Sequence, residues 1–157
     1  FTCDEAWTAR HGEGDCVHLQ RFREVPAAWR DDALAAKWAR VRDIRRVITG
    51  ALEIERRDKR IGASLEAAPI VHLGEDDLAL LADLDMAELA ITSGITLTAA
   101  PAPEAAFTLE DVEGVAVVPA LAGGERCARC WQQVDQLSEE GLCPRCEAAV
   151  AAWRTAA

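Results

Sequence analysis

Four cysteines near the end of the chain carry its clearest chemistry. Cys127-Ala128-Arg129-Cys130 and Cys143-Pro144-Arg145-Cys146 are two CxxC pairs separated by residues 131–142. A two-residue gap lets both sulfurs of a pair reach one ion, and tetrahedral zinc takes four such ligands in a structural site. Four thiolates leave no coordination position for water. The single Zn2+ expected here therefore holds a fold together and does no catalysis. The same residues can also be read as two redox motifs, as two disulfides or as chance. A redox motif needs a thioredoxin-like βαβ context, and none surrounds these pairs. Disulfides belong to exported proteins, and no basic-then-apolar leader opens the sequence. Cys3 and Cys16 have neither a CxxC partner nor a His at ligand spacing, and they read as free thiols.

The elements that must position this centre fall into three stretches within 157 residues. Half of the residues are hydrophobic, so packed cores are expected. No run of about 18 apolar residues occurs, so no transmembrane helix is expected and the expected location is the cytoplasm. The chain starts with Phe1 and its one methionine is Met86, which suggests a piece of a longer protein. The net charge of −10 argues on its own against a nucleic-acid partner. Its distribution points the other way. Residues 30–60 hold ten basic against six acidic side chains. Residues 61–125 hold no Lys or Arg, and the cysteine-rich end recovers Arg126, Arg129, Arg145 and Arg154.

Thr2-Cys3-Asp4-Glu5 fits a capping box that opens a short helix to about Arg10. Residues 17–22 read as extended. Leu34, Trp38, Val41, Ile44, Ile48 and Leu52 recur at three- and four-residue steps, the stripe of one long helix. Gly50 is its expected weak point and Gly62 its expected stop. The stripe is expected to pack on the N-terminal segment and on helices outside this chain. Arg42, Arg45, Arg46 and Arg56 lie on the helix's other faces. Singly they read as solvated charges, some paired with Asp43 and Glu53. As a group they form a candidate phosphate-facing stripe, since each guanidinium offers phosphate a planar fork.

Residues 64–122 read as a small α+β module with an acidic surface: a strand at 70–73, a helix at 75–84, a β-like stretch at 89–97, and a hairpin around Glu113-Gly114. His72 reads as a structural residue. No Ser/His/Asp set, phosphate-cradling glycine loop or poised acid pair is present, so the module carries no catalytic signal. Gly123-Gly124 reads as a hinge, and residues 148–156 as a closing helix.

Several stretches together resemble the C-terminal part of the bacterial isoleucyl-tRNA synthetase family. They are the arginine-rich helix, Lys59-Arg60-Ile61-Gly62-Ala63-Ser64-Leu65-Glu66-Ala67, Ile91-Thr92-Ser93-Gly94-Ile95, Gly114-Val115-Ala116-Val117-Val118-Pro119, and the two knuckles with Trp131. The resemblance runs through nearly the whole chain in the family's order. It departs at Phe22-Arg23-Glu24, where relatives often carry Pro after the Phe. The knuckles alone are less specific, since formamidopyrimidine-DNA glycosylases have a related zinc finger.

The resemblance implies an α+β chain of three parts. Residues 1–62 would end a helical anticodon-binding bundle, 63–122 would form a junction domain, and 123–157 a four-cysteine zinc finger or ribbon. It implies tRNA(Ile), approached from its anticodon side, and the rest of a monomeric parent enzyme as partners. Neither a membrane nor DNA is an expected partner. The parent joins isoleucine to its tRNA with ATP. The HIGH-like and KMSKS-like motifs and the editing domain are missing here, so ATP belongs to other parts of the parent and this piece is expected to be inactive alone. Arg126, Arg129 and Arg145 are further candidate phosphate contacts, and equally candidates to offset the charge of a four-thiolate centre. Trp131 either covers the thiolates or stacks on a loop base. Two alternatives remain: a DNA-binding zinc module of glycosylase type, and a protein-interaction module docking through its acidic middle.

Overall fold

The computed structural model describes residues 1–156. The chain divides into two compact units, Phe1–Ala33 and the stretch from Leu34 onward. In the first unit, helix α1 (Thr2–His11) places Asp4 and Glu5 in its first turn and Arg10 and His11 in its last, each complementing the helix dipole. The expected capping box does not form. Phe1 takes the N-cap position with no side-chain hydrogen bond, and the Glu5 amide donates to the Phe1 carbonyl (2.9 Å). Trp7 stacks on His11 and its indole N–H donates to Asp15 (3.1 Å). Residues 17–19 form a 3-10 turn where an extended segment was expected. A second 3-10 turn spans Ala27–Trp29.

The second unit is built on helix α2 (Asp32–Arg57), whose 26 residues run unbroken through Gly50. A Cβ at Gly50 would sit 3.0 Å from the Phe107 ring, so the missing side chain makes room for a neighbour and is no point of weakness. Val41, Ile44, Val47, Ile48, Ala51 and Leu52 form its buried face. The buried partners of that face come from residues 61–117: Ile61, Val71, Leu73, Leu81, Met86, Val112, Val115 and Val117 among them. The stripe, expected to pack on the N-terminal segment and on helices outside this chain, is covered instead by strands and short helices from residues 61–117.

The sheet has the order β2-β1-β4-β3. Its strands are β1 (Ile70–Leu73), β2 (Thr96–Thr98), β3 (Phe107–Leu109) and β4 (Val112–Val118). β1 runs parallel to β2 and antiparallel to β4. On β1, Val71 and Leu73 are buried while Ile70 and His72 are only partly so, the alternation of a strand with one face on a core. The hairpin turn between β3 and β4 falls at Glu110-Asp111, not at Glu113-Gly114. Gly114, at φ 74°, sits where the β3–β4 register shifts, inside β4. Helix α3 (Glu75–Leu81) stops short of Leu84. Of residues 89–97, expected to be β-like, Thr96 and Leu97 lie in strand β2, while Leu89 and Ala90 end helix α4 (Met86–Ala90), which Asp85 caps by accepting from the Glu88 amide (2.9 Å).

Basic side chains of α2 tie it to this layer. Arg40 makes a two-pronged pair with Asp77 (2.8 and 2.5 Å) and donates to the Glu113 carbonyl (3.0 Å). Lys37 pairs with Asp83 (2.6 Å), and Arg46 with Asp111 (2.6 Å). The acidic middle thus partly answers the basic helix.

The helix ends before Gly62. Lys59 adopts the left-handed conformation (φ 58°). Its amide donates to the Arg56 carbonyl (3.0 Å) and that of Arg60 to Glu55 (2.9 Å), the double bond of a Schellman cap. Arg60 also grips the Glu55 carboxylate with two nitrogens (2.5 and 2.6 Å). A non-glycine residue at such a position costs about 1 kcal/mol. Lys59→Gly is therefore expected to raise stability by about 1 kcal/mol, read as a higher urea midpoint with unchanged slope. A lower midpoint would show that the lysine side chain contributes more than its backbone costs.

Candidate metal centre

The cysteines stand on a short ribbon and a helix. β5 (Glu125–Arg126) pairs antiparallel with β6 (Gln133–Val134). Between them Cys127–Cys130 forms the first knuckle, closed by the Cys127 amide donating to the Gln132 carbonyl and the Trp131 amide donating to the Cys127 carbonyl (both 2.9 Å). The chain turns back at Trp131, which takes a left-handed φ of 67°. Helix α5 (Pro144–Ala156) begins four residues earlier than expected, so Cys146 lies in its first turn and Cys143 just before it. Pro144 suits the first helical position, where its missing N–H costs nothing. Amides and the dipole at a helix N-terminus favour thiolates.

The four Sγ atoms lie within 4.8 Å of one another. The Cys130–Cys143 separation is 3.7 Å. Zn–S bonds of about 2.3 Å in a tetrahedron place sulfurs about 3.8 Å apart, whereas a disulfide brings them to about 2.05 Å. All six cysteines are unbridged. Cys127, Cys143 and Cys146 are buried and Cys130 is partly so, in a small core with Leu142, Val134, Leu137 and Val150. The donor set fits a zinc ion, which these four residues could bind.

The electrostatics point to a cation as well. The backbone amides of Cys130 and Cys143 draw the Cys127 thiol down to about 6. The Arg129 guanidinium, its Nη1 3.5 Å from Cys146 Sγ, lowers the Cys146 thiol. Cys143 behaves oppositely. The Cys146 amide favours its thiolate, yet burial and the three neighbouring sulfurs push it up to about 11. Four sulfurs this close cannot all ionise unless a positive ion sits among them.

The other expected site residues separate by what they touch. Arg45 donates to the Leu89 carbonyl (2.6 Å). Arg46 holds Asp111 and Asp43. Arg56 pairs with Glu53 and donates to Ser64 Oγ (2.8 Å). Arg42 is exposed and has no hydrogen-bond or ion-pair partner among the described residues. Arg129 and Arg145 lie beside the thiolates, and each is held more firmly protonated, first by Cys146 and by Cys130 respectively. Trp131 is 60% exposed, with the Arg126 guanidinium 6.0 Å from its ring centroid. Sequence reasoning missed Arg40 as the clamp of α2, and it missed Ser93 and Gln133, which join the ribbon to the sheet layer. The pairing of distant residues leaves no periodic trace.

Fold and centre together define a modular α+β chain with a small module whose four cysteines could hold a metal ion. No family model matches it. It is 53% identical over 153 residues to the isoleucine--tRNA ligase of Brucella abortus, a match covering 97% of this chain. It is 52% identical over 155 residues to that of Ruegeria pomeroyi and 49% identical over 145 residues to that of Bartonella henselae, covering 96% and 92% of the chain. The chain belongs, as a segment, to the isoleucine--tRNA ligase family. It spans 16% of the length of the Brucella relative. Among the described residues no helix is long and apolar enough to cross a membrane.

Proposed function

We propose that this chain is the C-terminal, tRNA-binding region of an isoleucine--tRNA ligase, with one structural Zn2+ held by Cys127, Cys130, Cys143 and Cys146. The observation that carries the reading is an exposed Trp131 with Arg126 beside it, on a knuckle whose four sulfurs are spaced for zinc. A cation paired with an open aromatic face suits an unstacked RNA base and its phosphate. Arg42 is the cation of α2 best placed for phosphate, because Arg45, Arg46 and Arg56 already hold partners within the chain. In this reading residues 1–62 end the anticodon-binding domain, 63–122 are the junction and 123–157 the zinc domain, although α2 shares a core with the junction sheet. ATP and isoleucine are handled elsewhere in a monomeric, cytoplasmic parent, which this segment joins on the anticodon side of tRNA(Ile). The segment charges no tRNA alone and takes no DNA.

The zinc supplies folding energy and a fixed knuckle shape when bound. Trp131 offers the stacking face, Arg126 and Arg42 meet phosphate, and Arg129 and Arg145 offset thiolate charge. The protein-interaction reading loses ground because Asp77, Asp83 and Asp111 of the acidic middle are engaged by α2.

The test is a titration of tRNA(Ile) at several salt concentrations. Affinity is expected to fall steeply with salt, and Arg126→Ala to reduce the slope of log affinity against log salt by about one. Affinity that stays flat between low and moderate salt would sink the proposal, as would equal or tighter binding to a DNA duplex.

A further inference from the structure

The metal module and the helix–sheet layer have separate hydrophobic cores. The covalent link between them contains Gly123 and Gly124, the latter at φ 86°. A glycine pair between two cores leaves their mutual orientation to whatever else joins them. Among the described residues, one hydrogen bond crosses from residues 125–156 to the layer: the Gln133 amide donates to Ser93 Oγ (2.7 Å). Ser93 is itself held on the layer. Its hydroxyl donates to the Leu65 carbonyl (2.5 Å) and its amide to the Ala67 carbonyl (3.1 Å). A hydroxyl has one proton to give and lone pairs to receive, so one Oγ serves both sides of the joint.

We propose that Ser93 is a positioning residue that sets the orientation of the metal module on the helix–sheet layer. What it holds in register is specific. Gln133 lies opposite Arg126 in the ribbon and two residues after Trp131. Leu65 follows Ser64, which receives the Arg56 guanidinium from the end of α2 (2.8 Å). The chain of bonds from α2 through Ser64–Leu65 to Ser93 and Gln133 joins the basic helix to the strand pair that carries Arg126. Alanine at 93 would leave the Gln133 N–H and the Leu65 carbonyl without this partner. The consequence for RNA rests on the tRNA-binding reading above. The orientation itself does not.

The test uses the zinc-loaded chain and residual dipolar couplings from both parts. In the parent, both sets are expected to fit one alignment tensor. In Ser93→Ala they are expected to need two, and Gln133→Pro, which removes the donor from the other side, should do the same. Ser93→Thr keeps the hydroxyl and should restore one tensor. The 113Cd shift of cadmium-loaded samples should stay unchanged throughout, so that loss of metal is not mistaken for loss of the pin. One tensor in Ser93→Ala with an intact cadmium signal overturns the proposal. In the full-length ligase, Ser93→Ala should bind tRNA(Ile) about five- to tenfold more weakly, the worth of one hydrogen bond. Unchanged affinity in a ligase whose parent form binds tRNA overturns the link to recognition. A parent that binds no tRNA sinks the RNA reading instead and leaves the tensors to decide the pin.

Discussion

Cys143→Ser is expected to abolish zinc binding and to unfold residues 125–156, while the helix–sheet layer keeps its structure. Cys143 sits at the start of α5, with its sulfur 3.7 Å from that of Cys130. A serine hydroxyl is a harder, less acidic ligand and cannot replace a thiolate. The module has little else to hold it. Its core is four cysteines with Leu142, Val134, Leu137 and Val150, and stretches below about 40 residues usually need a metal or disulfides to fold. Binding of structural zinc supplies about 10–16 kcal/mol of apparent free energy in small finger peptides, and zinc held by these four cysteines would supply it here as folding energy. Elemental analysis should fall from about one zinc per chain to nearly none, as one closed site requires. Amide spectra of residues 125–156 should collapse while those of 41–117 persist. A substituted chain that kept both zinc and native spectra would refute the ligand assignment.

Ile48→Ala should destabilise α2 and the sheet together, by about 2–5 kcal/mol. Ile48 is fully buried and clusters with Val71, Val115 and Val117. Removing three carbons there leaves a cavity that both helix and sheet line, and the cost depends on how far they can collapse into it. Helix and strand signals should therefore share one urea transition with a lowered midpoint. Two separated transitions would mean that α2 folds as part of a different body, with its energetic boundary near residue 62.

The contrast between these two sites bears on what a sequence can reveal. The clustering of the cysteines was legible because the spacing of each CxxC pair is local, and the four sulfurs do lie within 4.8 Å of one another. The buried face of α2 was legible because Val41, Ile44, Ile48 and Leu52 repeat with the helical period. What covers that face was not, since periodicity marks a side and carries no information about the partner. Residues 89–97 were legible only at their end, where Thr96 and Leu97 join β2; the spacing of Leu89 and Ile91 misled by extending the strand too far back. The single Asp85 cap, with Ile91 in a left-handed stop (φ 58°), decided for a helix over 86–90. The arginines of α2 were legible as charges and not as pairs. Asp77, Asp83 and Asp111, which engage Arg40, Lys37 and Arg46, come close only through the fold.

The two cores also differ in how far apart in sequence their contacts lie, and this has a kinetic consequence. The four clustered cysteines all fall between residues 127 and 146, so bringing them together costs little chain entropy. The helix–sheet core gathers residues from Val41 to Val117 into one cluster, and such non-local packing slows folding. The knuckles can therefore form as soon as an ion arrives, on the timescale of local loop closure. The larger core must wait for its last strand, so capture of the ion need not follow folding of the rest.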